Sequence, residues 1–224
     1  ETDNTDAHAG AAIFSDQRLL LLPVRSLRGT FAWATSPYLL QRFKRDAAGA
    51  NVREVAALPD IVNLAEKQCL VAENNSALIY QNGDQAQVIL EDLDLQAVKK
   101  SEVDAWAKWL GKQLFTATNW QSALQGRMCV LADNVFSFLL EHGTEITARI
   151  KLLSDKKTVQ KGGLWYEESL PAETILSGLL VTMERLASAT EVAATINQIL
   201  TNNQALQLGG KATVGRGLCS VHLK

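Results

Sequence analysis

Cysteine, histidine and proline are all scarce in this sequence, with three, three and four copies among 224 residues. Cys69, Cys129 and Cys219 stand too far apart for the close pairs of a zinc site, and they are too few for a disulfide framework. A reducing compartment, the cytoplasm, is the setting they fit. His8, His142 and His222 are equally dispersed. No metal-ligand spacing, Ser-His-Asp set or dinucleotide fingerprint is visible, so no tightly bound cofactor is expected. Long apolar runs are missing too. None approaches the roughly 20 residues that cross a bilayer, and no membrane partner is expected. The opening is acidic and polar (Glu1, Asp3, Asp6) and does not read as a signal peptide. Nor is there an excess of positive charge. Lys and Arg number 22 against 24 Asp and Glu, and the pI is near 6.0. A bulk electrostatic nucleic-acid binder would sit above about 9.

Hydrophobic residues make up 47% of the chain and charged ones 21%, which is ordinary for a globular protein with a full core. The length suits one large domain over 1–224, or a domain with a sizeable insertion. The charge is unevenly placed. Asp84, Glu91, Asp92, Asp94, Glu102 and Asp104 face only Lys99 and Lys100 in that stretch, whereas basic residues collect at 25–45, 149–161 and 211–216. Separate basic patches on an acidic background fit a defined RNA track.

Residues 19–46 carry the first such patch. Leu19 to Leu22 is a continuous apolar run, as in a strand covered on both faces, and Pro23 is expected to stop it. A basic turn through Arg25 and Arg28 ends in Gly29. Ser36 before Pro37 reads as an N-cap with proline at the first helical position. Leu39, Leu40 and Phe43 form an apolar helix face, with Arg42, Lys44 and Arg45 mostly off it. The strand would thereby deliver Arg25, Arg28, Arg42 and Lys44 to one end of a sheet, a place to hold an anion.

Around that stretch the pattern varies. His8 lies in a polar loop, where it could act as acid or base or simply be solvated. Ala11 to Leu22 reads as β-structure with a turn at Ser15–Gln17. Residues 47–125 look like an insertion with a helical part. Within it Asn82-Gly83 marks a hairpin between 78–80 and 87–90, and Ser101 with Asp104 resembles a capping box. Trp106, Trp109, Leu110 and Leu114 fall at helical spacing, and a packed face is the better reading than an aromatic platform for bases. Arg127 to Leu131 reads as a strand. Asp133-Asn134 starts a helix that closes near Gly143 and carries His142 in its last turn. Residues 144–171 read as a long hairpin, with Arg149 and Lys151 on one strand, a basic tip, and Trp165 and Tyr166 near its base. Residues 174–181 read as one strand and 187–200 as an amphipathic helix. Finally, 206–217 (LQLGGKATVGRG) interleaves Gly209, Gly210, Gly215 and Gly217 with Lys211 and Arg216, a combination suited to an anion nest. Taken alone, these features describe an α+β RNA or nucleotide binder.

LLLLPVRSLRG and TSPYLLQRFKRD closely resemble the backbone subunits of type III-B CRISPR Cmr effector complexes, which belong to the RAMP superfamily. DAHAGAAIFSD, GGLWYEESLP and LQLGGKATVGRG resemble that family too, in the same order. The resemblance implies a ferredoxin-like (RRM-like) core with an inserted helical region over 47–125, a thumb hairpin over 144–171 and a glycine-rich loop over 206–217 against guide RNA. It implies a further segment before Glu1, with the first strand and helix of the core and an aspartate used in cutting RNA. The implied partners are crRNA, single-stranded target RNA, copies of the chain in a filament and the other Cmr subunits. The implied activity is target-RNA cleavage with a divalent metal, magnesium or manganese. The family's acidic residue matches Glu167, while Ser169 stands where it has a tyrosine. A guide-processing endoribonuclease with His222 as base, and a non-catalytic scaffold, are the alternatives.

Overall fold

The computed structural model describes residues 10–62, 64–202 and 205–223. His8 therefore lies outside the described residues. In chain order the elements are β1 (Ala12–Phe14), β2 (Arg18–Arg25), β3 (Phe31–Thr35), α1 (Pro37–Gly49), α2 (Arg53–Ala56), β4 (Gln68–Ala72), β5 (Tyr80–Asn82), β6 (Gln85–Leu90) and β7 (Leu93–Lys100). They continue with α3 (Ser101–Leu114), α4 (Thr118–Arg127), β8 (Met128–Leu131), α5 (Asp133–His142), β9 (Glu145–Leu152), β10 (Val159–Ser169) and β11 (Ile175–Ser177). Last come β12 (Leu180–Thr182), α6 (Ala189–Asn202), β13 (Leu206–Gln207), a 3-10 turn at Ala212–Val214 and β14 (Leu218–Cys219). The fold is mixed α and β. It divides into two compact units: Leu19–Ser177, and the described residues of 1–18 with those of 178–224.

The larger unit is built on an eight-stranded mixed sheet in the order β11-β2-β3-β8-β4-β7-β6-β5. β3 runs parallel to β8 and β4 parallel to β7, while β4 and β8 are antiparallel. Strand alternation sends side chains into two cores, one per face. Trp33, Leu70, Ala72, Met128 and Val130 join Leu40 of α1, Val103, Trp106 and Leu110 of α3, and Leu124 of α4. Ala32, Ala34, Cys69, Val71, Cys129 and Leu131 join Leu39 of α1 and Phe136 and Leu139 of α5. Leu20 and Leu21 serve the first core and Leu22 and Val24 the second, which is why β2 reads as an unbroken apolar run. All three cysteines are free, and burial pushes the Cys69 thiol well up.

The structure departs from several of these expectations. β2 does not stop at Pro23. It runs on to Arg25 with Pro23 opposite Trp33. Residues 47–125, read as an insertion on the core, supply β4 to β7 to the sheet itself, and β4 lies between β8 and β7 with Cys69 to Ala72 buried. Ser36 and Pro37 do open α1, but the Ser36 hydroxyl makes no cap bond, and the N–H of Tyr38 donates to Oδ1 of Asp133 at 3.0 Å. The capping box at Ser101 does not form: the N-cap position of α3 falls on Lys100, the Ser101 hydroxyl donates to its neighbour Glu102, and Asp104 accepts from the N–H of Glu73 at 2.7 Å. Residues 174–181 split at Gly178 into β11 and β12, which join different sheets. The Asn82-Gly83 hairpin is present, with Asn82 opposite Gln85.

In the smaller unit β1 pairs antiparallel with β12, and β13 with β14. A true capping box stands there. The Ser188 hydroxyl accepts from the N–H of Glu191 at 3.3 Å, and the Glu191 carboxylate accepts from the N–H of Ser188 at 2.9 Å. The Ser188 N–H, and then the Ser188 hydroxyl donating to the same carboxylate at 2.8 Å, hold the Glu191 carboxyl below the usual carboxylate range.

Candidate nucleic-acid interface

The basic turn is closed by the N–H of Ser26 donating to the Thr30 carbonyl at 3.2 Å. It is tied to the β6–β7 turn, with Leu27 N–H donating to Ile89 O and Glu91 N–H to Arg25 O. Arg25 meets Glu91 at 2.7 Å, and that hydrogen-bonded carboxylate raises the guanidinium pKa further. Its side chain is still 85% exposed. Arg28 is exposed on the turn. The helix cations are placed otherwise. Arg42 donates to the Leu19 carbonyl and stands 6.0 Å from the Tyr38 ring. Lys44 donates to Leu58 O and Asp60 Oδ1, both at 2.7 Å. Arg42 thus sits at the start of β2 and Arg25 at its end, so the four cations are not one cluster.

Trp106 is fully buried and donates from Nε1 to Pro59 O at 2.9 Å, and Trp109 packs on Phe43 at 5.8 Å. These rings belong to the core. His142 hydrogen-bonds the Phe138 carbonyl one turn back, at 2.8 Å, and stacks on that ring.

β9 and β10 form a two-stranded sheet of their own. Opposed residues share a face. Ile146, Ala148 and Ile150 stand opposite Glu168, Tyr166 and Leu164, giving a face of exposed apolar side chains. The other face carries Thr147 opposite Glu167 and Arg149 opposite Trp165, with Lys151 exposed beyond. Glu167 accepts from the Trp165 indole at 3.0 Å and pairs with Arg149 at 3.5 Å. The register breaks between Val159 and Leu164, around Gly162 and Gly163. A Cβ on Gly163 would meet Gln160 O at 2.8 Å and Lys151 O at 3.0 Å, so the bulge requires glycine.

In the smaller unit the glycine-rich loop is closed by β13 and β14 and by the Leu208 N–H donating to Gly217 O at 2.8 Å. Lys211 is left-handed at φ 63°, and Val214 N–H returns to its carbonyl at 3.1 Å. A Cβ on Gly217 would fall on Leu208 O. At Gly209, Gly210 and Gly215 an added Cβ would meet nothing within 4 Å. The loop therefore has open glycine surface beside the exposed Lys211 and the half-buried Arg216. His222 lies close to Ser220, with Nε2 and Oγ 3.2 Å apart.

Two features went unread in the sequence. Arg127, the last residue of α4, donates to Gly29 O at 2.7 Å and lies 6.0 Å from the Phe31 ring, bracing the basic turn from 98 residues away. The spacing of Trp165 and Glu167, two apart on a strand, carried the signal for their contact, but not for Arg149 as the third member.

A divalent metal is poorly matched by these residues. Among the described residues no three or more of His, Cys, Asp and Glu come together to hold one. Glu167 already faces a guanidinium, whose charge opposes a second cation.

Residues 2–220 match the family model of the RAMP superfamily. The chain is 33% identical over 226 residues to the CRISPR system Cmr endoribonuclease Cmr4 of Pyrococcus furiosus, covering 100% of this chain and 72% of that protein. It is 25% identical over 232 residues to the CRISPR system CMR subunit Cmr4 of Saccharolobus solfataricus, covering 97% and 73%. Its fold is similar to the crystal structure of oligomeric Cmr4 from Pyrococcus furiosus, with a TM-score of 0.69 at 29% identity over 93% of this chain and 71% of that one.

Proposed function

The chain belongs to the RAMP superfamily, and on that premise we propose that it is a backbone subunit of a type III-B CRISPR effector. It binds a guide crRNA, lines up with copies of itself along that guide and presents it to complementary single-stranded target RNA. The observation that carries this reading is the match at 33% identity over 100% of the chain to a Cmr endoribonuclease. The other Cmr subunits are its further partners, and the cytoplasm is its setting.

The physics of the described surfaces supports the assignment. In an RNA-guided system base pairing reads sequence, so the protein need only hold backbone and shape. The open glycine loop with Lys211 and Arg216 suits guide phosphates. The β9–β10 hairpin, a two-stranded sheet of its own with one face of exposed apolar side chains, serves as the thumb that enters the guide–target duplex, on a core of ferredoxin-like type. A narrow hairpin can wedge a base step apart when backbone contacts offset the lost stacking. The relative is named an endoribonuclease; target-RNA cleavage with magnesium or manganese would need a metal site that the contacts among the described residues do not supply. Holding RNA is what these residues are equipped for.

The test is to purify the protein from its native cells, extract bound nucleic acid and sequence it. Discrete small RNAs of repeating type are expected. RNA of random sequence and length, or none, would refute the reading.

A further inference from the structure

Glu167 is the acidic residue that family resemblance ties to catalysis, and its surroundings argue for another role. Its side chain is only 12% exposed. Oε1 accepts from the Trp165 indole N–H at 3.0 Å, and Oε2 pairs with Nε of Arg149 at 3.5 Å. Trp165 and Arg149 are directly opposed across the strands, and Trp165 and Glu167, two apart, leave the same face. The three side chains thus close on one another, with carboxylate between indole and guanidinium. Magnesium is usually held by one or two carboxylates and phosphate oxygens. Here the only carboxylate of the triad accepts from the indole through Oε1 and faces the guanidinium through Oε2, which is buried and takes no hydrogen bond of its own.

We propose that Glu167 is a positioning residue. It anchors the Trp165 ring through its N–H and holds Arg149 beside it, so that the hairpin presents a fixed aromatic surface and a fixed cation together. Trp165 remains 43% exposed, which leaves ring surface for a nucleobase. Stacking on an aromatic face tolerates any base, as a guide-independent contact must. Arg149, with donors beyond the one facing Glu167, is placed to meet a phosphate. Anchoring the indole in advance removes part of the ordering cost of that contact. The proposal rests on the RNA-binding reading above.

Two measurements decide it. The first needs no RNA. The indole N–H resonance of Trp165, assigned by its disappearance in W165F, should shift in E167A. Its solvent exchange should quicken on the order of tenfold, the worth of a hydrogen bond to a charged group. E167Q keeps an acceptor oxygen and should hold both values near wild type. The second uses the guide-loaded protein and complementary RNA carrying a fluorescent adenine analogue. E167A and W165A should lose the unstacking signal to similar extents, and E167Q should restore most of it. An indole resonance unmoved by E167A overturns the proposal, as does E167Q failing as fully as E167A, the pattern of a metal ligand. A wild-type signal that E167A leaves intact overturns the proposal alone. A wild type with no signal overturns the RNA reading and the proposal together.

Discussion

Lys211 and Arg216 show how far residue type can be read without structure. Their alternation with glycines is visible in the sequence, and the structure places both on an exposed, tightly closed loop. Replacing both with alanine should weaken RNA binding for every sequence alike. The slope of log affinity against log salt should fall by about 1.4, at roughly 0.7 per phosphate contact to a single strand. Filter binding across a salt series checks this, and a loss confined to particular bases would count against backbone contact. Arg42 and Lys44 illustrate the opposite case. Their charge is legible, but their partners, the Leu19 carbonyl and the Leu58 and Asp60 oxygens, are set by packing. Cations already bonded within the fold are poorer phosphate ligands than the exposed Arg28.

At the scale of elements, local pattern carries most of the outcome. The β9–β10 hairpin was legible because alternation over eight residues, a polar turn and a return strand are all local signals. Every apolar residue on its strands is exposed apart from the bulge, so it adds little to the core. Deleting Ser154 to Val159 and joining the strands with a short turn should leave the melting temperature of the larger unit nearly unchanged while impairing target engagement. Calorimetry with a binding titration tests both, and a large fall in melting temperature would make the hairpin part of the core. The capping boxes make the complementary point. Ser101-x-x-Asp104 and Ser188-x-x-Glu191 look alike in sequence, yet only the second closes, because α3 starts at Ser101 itself with Lys100 at the N-cap, and Asp104 bonds the Glu73 N–H instead.

For the whole molecule the uneven distribution of burial has a measurable consequence. Among the described residues every buried apolar side chain lies between Leu20 and Leu139. Local stability follows buried contacts and shielded backbone bonds. Amide hydrogen exchange should therefore be slowest in β3, β4 and β8, and β1, β12 and α6 should exchange well before them. Equal protection of α6 and β8 would show that burial does not rank stability here.

The sequence by itself determined the elements whose signals are short-range: the doubly covered β2, the proline-started α1, the hairpin, the glycine loop, and the packed rather than exposed role of Trp106. It also carried the family resemblance, in stretches spread from one end of the chain to the other. Tertiary structure alone decided what depends on distant partners. β4, five residues within a region that read as an insertion, became a central strand by pairing with β7 and with β8 some 60 residues on. Arg25 met Glu91, 66 residues away, and Arg149 met Glu167 across a hairpin. A periodicity reports which face a residue takes, but the group that waits on that face is fixed only when strands from separate parts of the chain come into register.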